Sequence, residues 1–218
     1  MSEKSEALSV SEGRSVDRLI NFSDAVVAVA VTLLALPLVD IEGPGPDETV
    51  WTVIGENASQ VWTFLFTFYV VAVMWLAHNR ILNSIKRYDV FIFWVNTTWL
   101  ASIVLLPWVS AMFGESASRT SVGMLYWSTM AAISLLGMAL GSHLRRHPEL
   151  LAHDTPPLSP QAQRRAALRG PVLGLYFLLI GIVSLFAPAI ANWLPVGIIP
   201  LSIWLRPASG NDTKEVPA

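Results

Sequence analysis

The sequence predicts an all-α membrane protein with six transmembrane helices. Three observations predict it. Hydrophobic residues make up 53% of the 218 residues and charged residues only 14%, against about 25% charged in an ordinary soluble domain. The apolar residues also gather into runs without Asp, Glu, Lys or Arg: between Glu56 and Arg80, Asp89 and Glu115, Arg119 and Arg145, and Arg169 and Arg206. A bilayer crossing needs about 20 such residues, whereas a buried soluble helix rarely needs more than about 14. Finally, once six spans are drawn, all but one of the 14 Lys and Arg residues fall on one side, Arg119 being the exception. That asymmetry places both termini in the cytoplasm and independently supports an even number of spans. With 0 cysteines, disulfide scaffolds and thiol chemistry are excluded.

The elements follow in order. Residues 1–17 are polar and mixed in charge and read as a cytoplasmic tail. The first span covers 18–38. No small-residue cleavage site follows it, so it is not a signal peptide. An acidic turn region rich in Gly and Pro comes next, over 40–48. The second span covers 55–80, its helix starting near Val50; the third covers 89–113 and the fourth 120–144. The hydrophilic segment 145–169 reads as a connection. The run 170–205 reaches about 54 Å as a helix, a little short for two crossings of a ~30 Å hydrocarbon core. It reads as two short helices, 170–188 and 191–206, turning near Pro188, Asn192 and Pro195; one span plus a re-entrant segment is the alternative. The membrane domain is therefore 18–206, and 207–218 is expected to be a disordered cytoplasmic tail.

Enzyme signatures are missing: there is no Gly-x-Ser-x-Gly elbow, no His-Glu-x-x-His helix and no phosphate-binding or dinucleotide glycine pattern. His143 and His147, four apart, could geometrically share a metal; interfacial histidines among arginines are the plainer reading, and no fixed metal is expected. The nine tryptophans suit interfacial belts and packing. The arginines of 145–169 could meet anionic headgroups, although a positive-inside loop explains them equally.

The first span carries more information. Asp24 lies about 9 Å along the helix from Arg18. A carboxylate inside a span is costly and usually has a partner or a function. Six residues apart, Arg18 and Asp24 do not stack on one helix face, so their partners should come from other helices. Depth brings His78 and the string Asn96-Thr97-Thr98-Trp99 to the same layer. An Asp24 hydrated near the interface is the alternative. Further along, Val29, Thr32, Leu33 and Leu36 form one stripe at helical spacing. On pattern alone, an apolar stripe with one hydroxyl is ordinary helix packing.

The string Arg18-x-x-x-Phe22-Ser23-Asp24 resembles the signature of the transmembrane protein 175 family, the endolysosomal potassium channels and their bacterial relatives. The resemblance continues through Ala28-Val29-Ala30-Val31-Thr32-Leu33-Leu34, His78 after Trp75, and Asn96-Thr97-Thr98-Trp99. It implies a potassium-selective cation channel rather than an enzyme. It implies no cofactor, with potassium ions as the permeant species. The Thr-Val-Gly-Tyr-Gly filter of ordinary potassium channels is absent. A single six-span copy implies a homotetramer of the bacterial type, multi-pass in the bacterial plasma (inner) membrane. Its partners are then its own copies and the lipid bilayer, with no nucleic acid. The first helix of each subunit would line a central pore. The constriction would fall at Val29, Leu33 and Leu36, and the selectivity layer at Thr32. Where family members commonly have Ile or Leu, this chain has the smaller Val29. Arg18, Phe22, Ser23, Asp24, His78, Asn96 and Trp99 would form a structural network. The competing function is a secondary transporter or proton-conducting channel that uses Asp24 and His78.

Overall fold

The computed structural model describes residues 2–152, 160–191 and 194–197. Helix α1 (Ser2–Leu33) is continuous from the polar N-terminal residues into the first apolar run. It stops because Pro37 has no N–H for the Leu33 carbonyl and its ring crowds that carbonyl. The chain turns through a bond from Ala35 N–H to the Thr32 carbonyl at 3.2 Å. The short α2 (Leu36–Val39) follows, so Leu36 rides on a separate turn from Val29, Thr32 and Leu33. Beyond the acidic loop, the Thr49 hydroxyl accepts from Thr52 N–H and caps α3 (Val50–Glu56). Asn57 joins it to α4 (Ala58–Leu82). Helix α5 (Val90–Ser116) opens on Asp89, whose carboxylate accepts from Ile92 N–H at 2.8 Å. Helix α6 (Thr120–Arg146) ends in the basic residues His143, Arg145 and Arg146, a type suited to a helix C-terminus. A 3-10 turn (Pro148–Leu150), α7 (Pro160–Phe186), α8 (Pro188–Ala191) and a second 3-10 turn (Leu194–Gly197) complete the described chain.

The fold is all-helical, with no named strand among the described residues. Four stretches are long and apolar enough to cross a membrane: Ser15–Val39, Ala58–Leu82, Val90–Ser116 and Thr120–Arg146. The apolar part of α7, Pro171–Phe186, is shorter. The segment expected as a loop over 145–169 is helical from Pro160 onward, because α7 begins well before its apolar part. A break does fall at Pro188, between α7 and α8. Asn192, most of the expected sixth span, His153 and the expected tail lie outside the described residues.

Helix α6 packs most extensively against α7, then α5; α4 lies on α5, and α1 lies across α5 and α4. Gly174 permits the α6–α7 approach, since a Cβ there would sit 2.9 Å from a Leu135 methyl. The main core is built around Trp99, Tyr126, Trp127 and Phe177. A second cluster, including Val16, Leu82, Ile92 and Leu144, packs at the end of the bundle that carries the α4–α5 and α6–α7 connections, which contribute Ile85 and Leu150 to it. Those two connections are tied by backbone bonds, Lys86 N–H to the Leu150 carbonyl and Ala152 N–H to the Ser84 carbonyl, both 2.9 Å. They therefore lie at one end of the bundle, and they carry Lys86, Arg87, Arg145 and Arg146.

Candidate functional site

The first apolar helix presents two faces of different character. Leu19, Ser23, Val27, Ala30 and Leu34 are buried against α4 and α5. Arg18, Asn21, Phe22, Ala25, Ala28, Val29, Thr32, Leu33 and Leu36 are exposed and recur at helical spacing. Val29 is 60% exposed, Leu33 38% and Leu36 55%. Among the described residues nothing covers this stripe. The exposed faces of α4 and α5 carry bulky groups such as Leu65, Phe68, Trp94 and Trp108. The middle of the α1 stripe carries Ala25, Ala28, Val29 and Thr32, small enough for other helices to come close, with Phe22 before them and Leu33 and Leu36 after.

Behind the stripe lies a polar layer. Asn96 is fully buried and His78 is 3% exposed. The Ser23 hydroxyl donates to the Leu19 carbonyl at 2.8 Å. Its oxygen accepts from Asn96 Nδ2 at 3.0 Å. The Asn96 Oδ1 therefore faces His78 and accepts from Nε2–H at 2.7 Å. That order of donors puts a proton on His78 Nε2. Its Nδ1 is buried and finds no partner among the described residues. The His78 ring stacks flat on Trp99, with centroids 3.8 Å apart and planes 3° from parallel.

Asp24 belongs to a neighbouring set of contacts. Its carboxylate accepts from Trp75 Nε1 at 2.8 Å and from Asn79 Nδ2 at 3.1 and 3.2 Å. It makes no hydrogen bond to His78 and no ion pair with Arg18, which is exposed. Phe22 is exposed too, so neither Arg18 nor Phe22 joins the polar layer within one chain. Ser23, His78, Asn96 and Trp99 are brought together, and Asp24 is anchored beside them. Trp75 and Asn79 are the partners the sequence reading missed, and Asn83 backs Asn79. Their spacing of four residues places them on one helix face without saying which group they meet.

Along the stripe, the Thr32 hydroxyl donates to the Val29 carbonyl at 2.7 Å. This satisfies its proton and leaves its oxygen lone pairs free to face outward. At the far end of α1, a cavity of about 380 Å³ is lined by Asp40, Glu42, Glu48, Glu56 and Glu115. At the basic end, His143 Nε2 meets Asp89 Oδ2 at 2.7 Å, and the His143 and His147 rings lie 4.4 Å apart. No group of three or more metal-type ligands forms among the described residues. Desolvation pushes the Asp89 carboxyl up. The bonds from Ile92 N–H and His143, with the charges of His143 and His147, outweigh it and hold the group below the usual carboxylate range.

The comparisons agree with the resemblance carried by the first span. The family model described as "Endosomal/lysosomal potassium channel TMEM175" matches residues 18–107. A Streptomyces collinus protein named a potassium channel is 29% identical over 78% of this chain and 84% of its own length. A zebrafish protein named an endosomal/lysosomal proton channel TMEM175 is 25% identical over 98% of this chain; the chain spans 44% of that protein. The crystal structure of a lysosomal potassium-selective channel TMEM175 homolog from Chamaesiphon minutus superposes with a TM-score of 0.70. It shares 22% identity and the match covers 88% of this chain and 99% of that one. The fold is shared along nearly the whole of both chains.

Proposed function

Taking its kinship with the TMEM175 family as the premise, we propose that this chain forms a potassium-selective channel of six-span subunits. Four copies place α1 around a common axis, with both termini in the cytoplasm of a bacterial cell. The observation that carries the reading is the uncovered stripe of α1. From Ala25 to Leu33 it is a continuous row of small and branched side chains at helical spacing, held in place from behind by the Ser23–Asn96–His78–Trp99 layer. A ring assembly covers such a stripe without any further subunit. Rings of Val29, Leu33 and Leu36 would narrow and dewet the passage. A ring of four Thr32 oxygens, their protons already given to Val29 carbonyls, would replace part of a cation's hydration shell. Potassium sheds water more readily than sodium and would be favoured there. The acidic outer cavity would raise cation concentration at the mouth.

Proton conduction is a second reading, favoured by the name of the zebrafish relative and by the carboxylate of Asp24 beside the stripe. His78 fits that role poorly, because its Nε2–H is committed to Asn96 in a buried layer. The deciding experiment is current through the purified chain in planar bilayers under opposed potassium, sodium and proton gradients. Unitary currents reversing near the potassium equilibrium potential support the channel. A reversal that follows the proton gradient replaces it with the second reading, and transport without unitary currents replaces both with a transporter.

A further inference from the structure

The two connections at the basic end of the bundle carry the carboxylates of Asp89 and Glu149 among the described residues, and histidines hold both. Asp89 meets His143 at 2.7 Å while it accepts from Ile92 N–H, and Glu149 meets His147 at 3.0 Å. Arg80, Arg87, Arg145 and Arg146 stand exposed at the same end. None of them makes an ion pair or a hydrogen bond among the described residues; Arg87 acts on Glu149 only through the field of its charge. Arg145 is set apart by its pose. A side chain on a helix leans toward the N-terminus, so position 145 covers the turn at 141. Residue 141 is a glycine, and a Cβ built there would lie 3.5 Å from Arg145 Nη1 and 3.7 Å from Ile81 Cδ1. The guanidinium therefore rests on a shelf made of Gly141 of α6 and Ile81 of α4. The shelf lies about 6 Å back along α6, the rise of four residues. We propose that it seats the phosphate of an anionic phospholipid, held by the Arg145 guanidinium in the groove between the ends of α4 and α6. The inference needs the chain to sit in a bilayer and does not depend on what the chain conducts.

The donor set selects the ligand. A guanidinium stays charged, accepts nothing, and matches two phosphate oxygens with its planar fork. The apolar shelf supports its stem and flat face without taking any of its N–H groups. The site opens at the ends of two apolar helices long enough to cross a membrane, Ala58–Leu82 and Thr120–Arg146. Headgroups stand at that level, so the phosphate comes from lipid. The neighbouring charges of Arg80 and Arg146 add a diffuse attraction that favours an acidic headgroup over a zwitterionic one. Topology alone requires positive charge at this end of the bundle. It does not require a glycine beneath one guanidinium, nor local carboxylates turned to histidines.

The test is native mass spectrometry of the full chain, purified in detergent and titrated with phosphatidylglycerol or phosphatidylcholine. The wild type should bind phosphatidylglycerol the more tightly. Arg145→Gln should weaken that binding about tenfold or more, the effect of losing a hydrogen bond to a charged group. Arg145→Lys should fall between, because it keeps the charge and loses the fork. Gly141→Leu keeps every charge but fills the shelf, and should weaken binding as Arg145→Gln does. Arg146→Gln removes the same charge one position along and should change binding by less than about twofold, as an exposed charge without a fixed partner does. Equal losses in Arg145→Gln and Arg146→Gln overturn the proposal in favour of a diffuse positive surface. A folded Gly141→Leu chain that binds as the wild type does overturns it too, as does a wild type that binds the two lipids equally. Glycerol 3-phosphate that displaces the lipid at equal concentration makes the ligand a soluble phosphate and overturns the lipid. Should Gly141→Leu fail to fold, the comparison of Arg145→Gln with Arg146→Gln still decides. A wild type without potassium current sinks the channel reading and leaves these binding measurements unchanged.

Discussion

Asn96 serves two partners with its two ends, and no other residue type of its size could. Its Nδ2 donates to Ser23 and its Oδ1 accepts from His78, which links α1, α4 and α5 at one depth. An Asn96→Leu replacement keeps the branched shape and strands the His78 Nε2–H in a dry layer, while Ser23 keeps only its bond to the Leu19 carbonyl. A stranded group costs about 1–3 kcal/mol, so the heat stability of the detergent-solubilised chain should fall markedly. A variant that melts with the wild type would remove Asn96 from the account of how α1 is held. Thr32 sits on the opposite side of the same helix, and its effect should be on ions rather than stability. Thr32→Val keeps the shape and deletes four oxygens from the proposed ring. Its reversal potential, with potassium inside and sodium outside, should move toward zero. An unchanged reversal potential with normal current would confine the hydroxyl to its Val29 bond.

At the scale of elements, much was legible because each signal was local. The uncharged runs fall, to within a few residues, on the four helices long and apolar enough to cross a membrane. Pro188 marked the end of α7, and Asp89 is an acceptor ahead of an apolar run, the usual helix start. What was not legible depended on partners far apart in sequence. The pairing of the 84–88 and 147–152 connections cannot be read from either alone. Nor can the choice of Trp75 and Asn79, over His78, as the donors to Asp24. The Asp89–His143 contact is of this kind and carries a pH signature. Because Asp89 is held below the usual carboxylate range, its contribution is complete above the ordinary carboxylate pKa, ~3.9. It is lost as pH falls through the lower folded value. Acid titration of heat stability below about pH 4 should show this loss in the wild type. Asp89→Asn should be less stable at neutral pH and flatter in that acid range, and a variant with the wild-type acid profile would detach Asp89 from it.

The whole molecule brings these pieces to one question, whether the α1 stripe faces an ion path or another helix packed tightly against it. The two cases separate at Leu36, which is 55% exposed and stands on the turn beyond the Pro37 break. Trimming it costs a lone subunit little, because little of the side chain is packed. A Leu buried in a core would instead cost about 2–5 kcal/mol when cut to Ala. In the proposed tetramer four Leu36 side chains close the outer part of the narrow passage. Leu36→Ala should then widen it and raise unitary conductance, with tetramers surviving detergent and heat as the wild type does. Leu33→Ala should act in the same direction but with some loss of stability, since Leu33 is only 38% exposed and lies on the continuous helix. If both variants lose the tetramer and neither alters conductance, the stripe is packing between copies and the path for ions must be sought on another face.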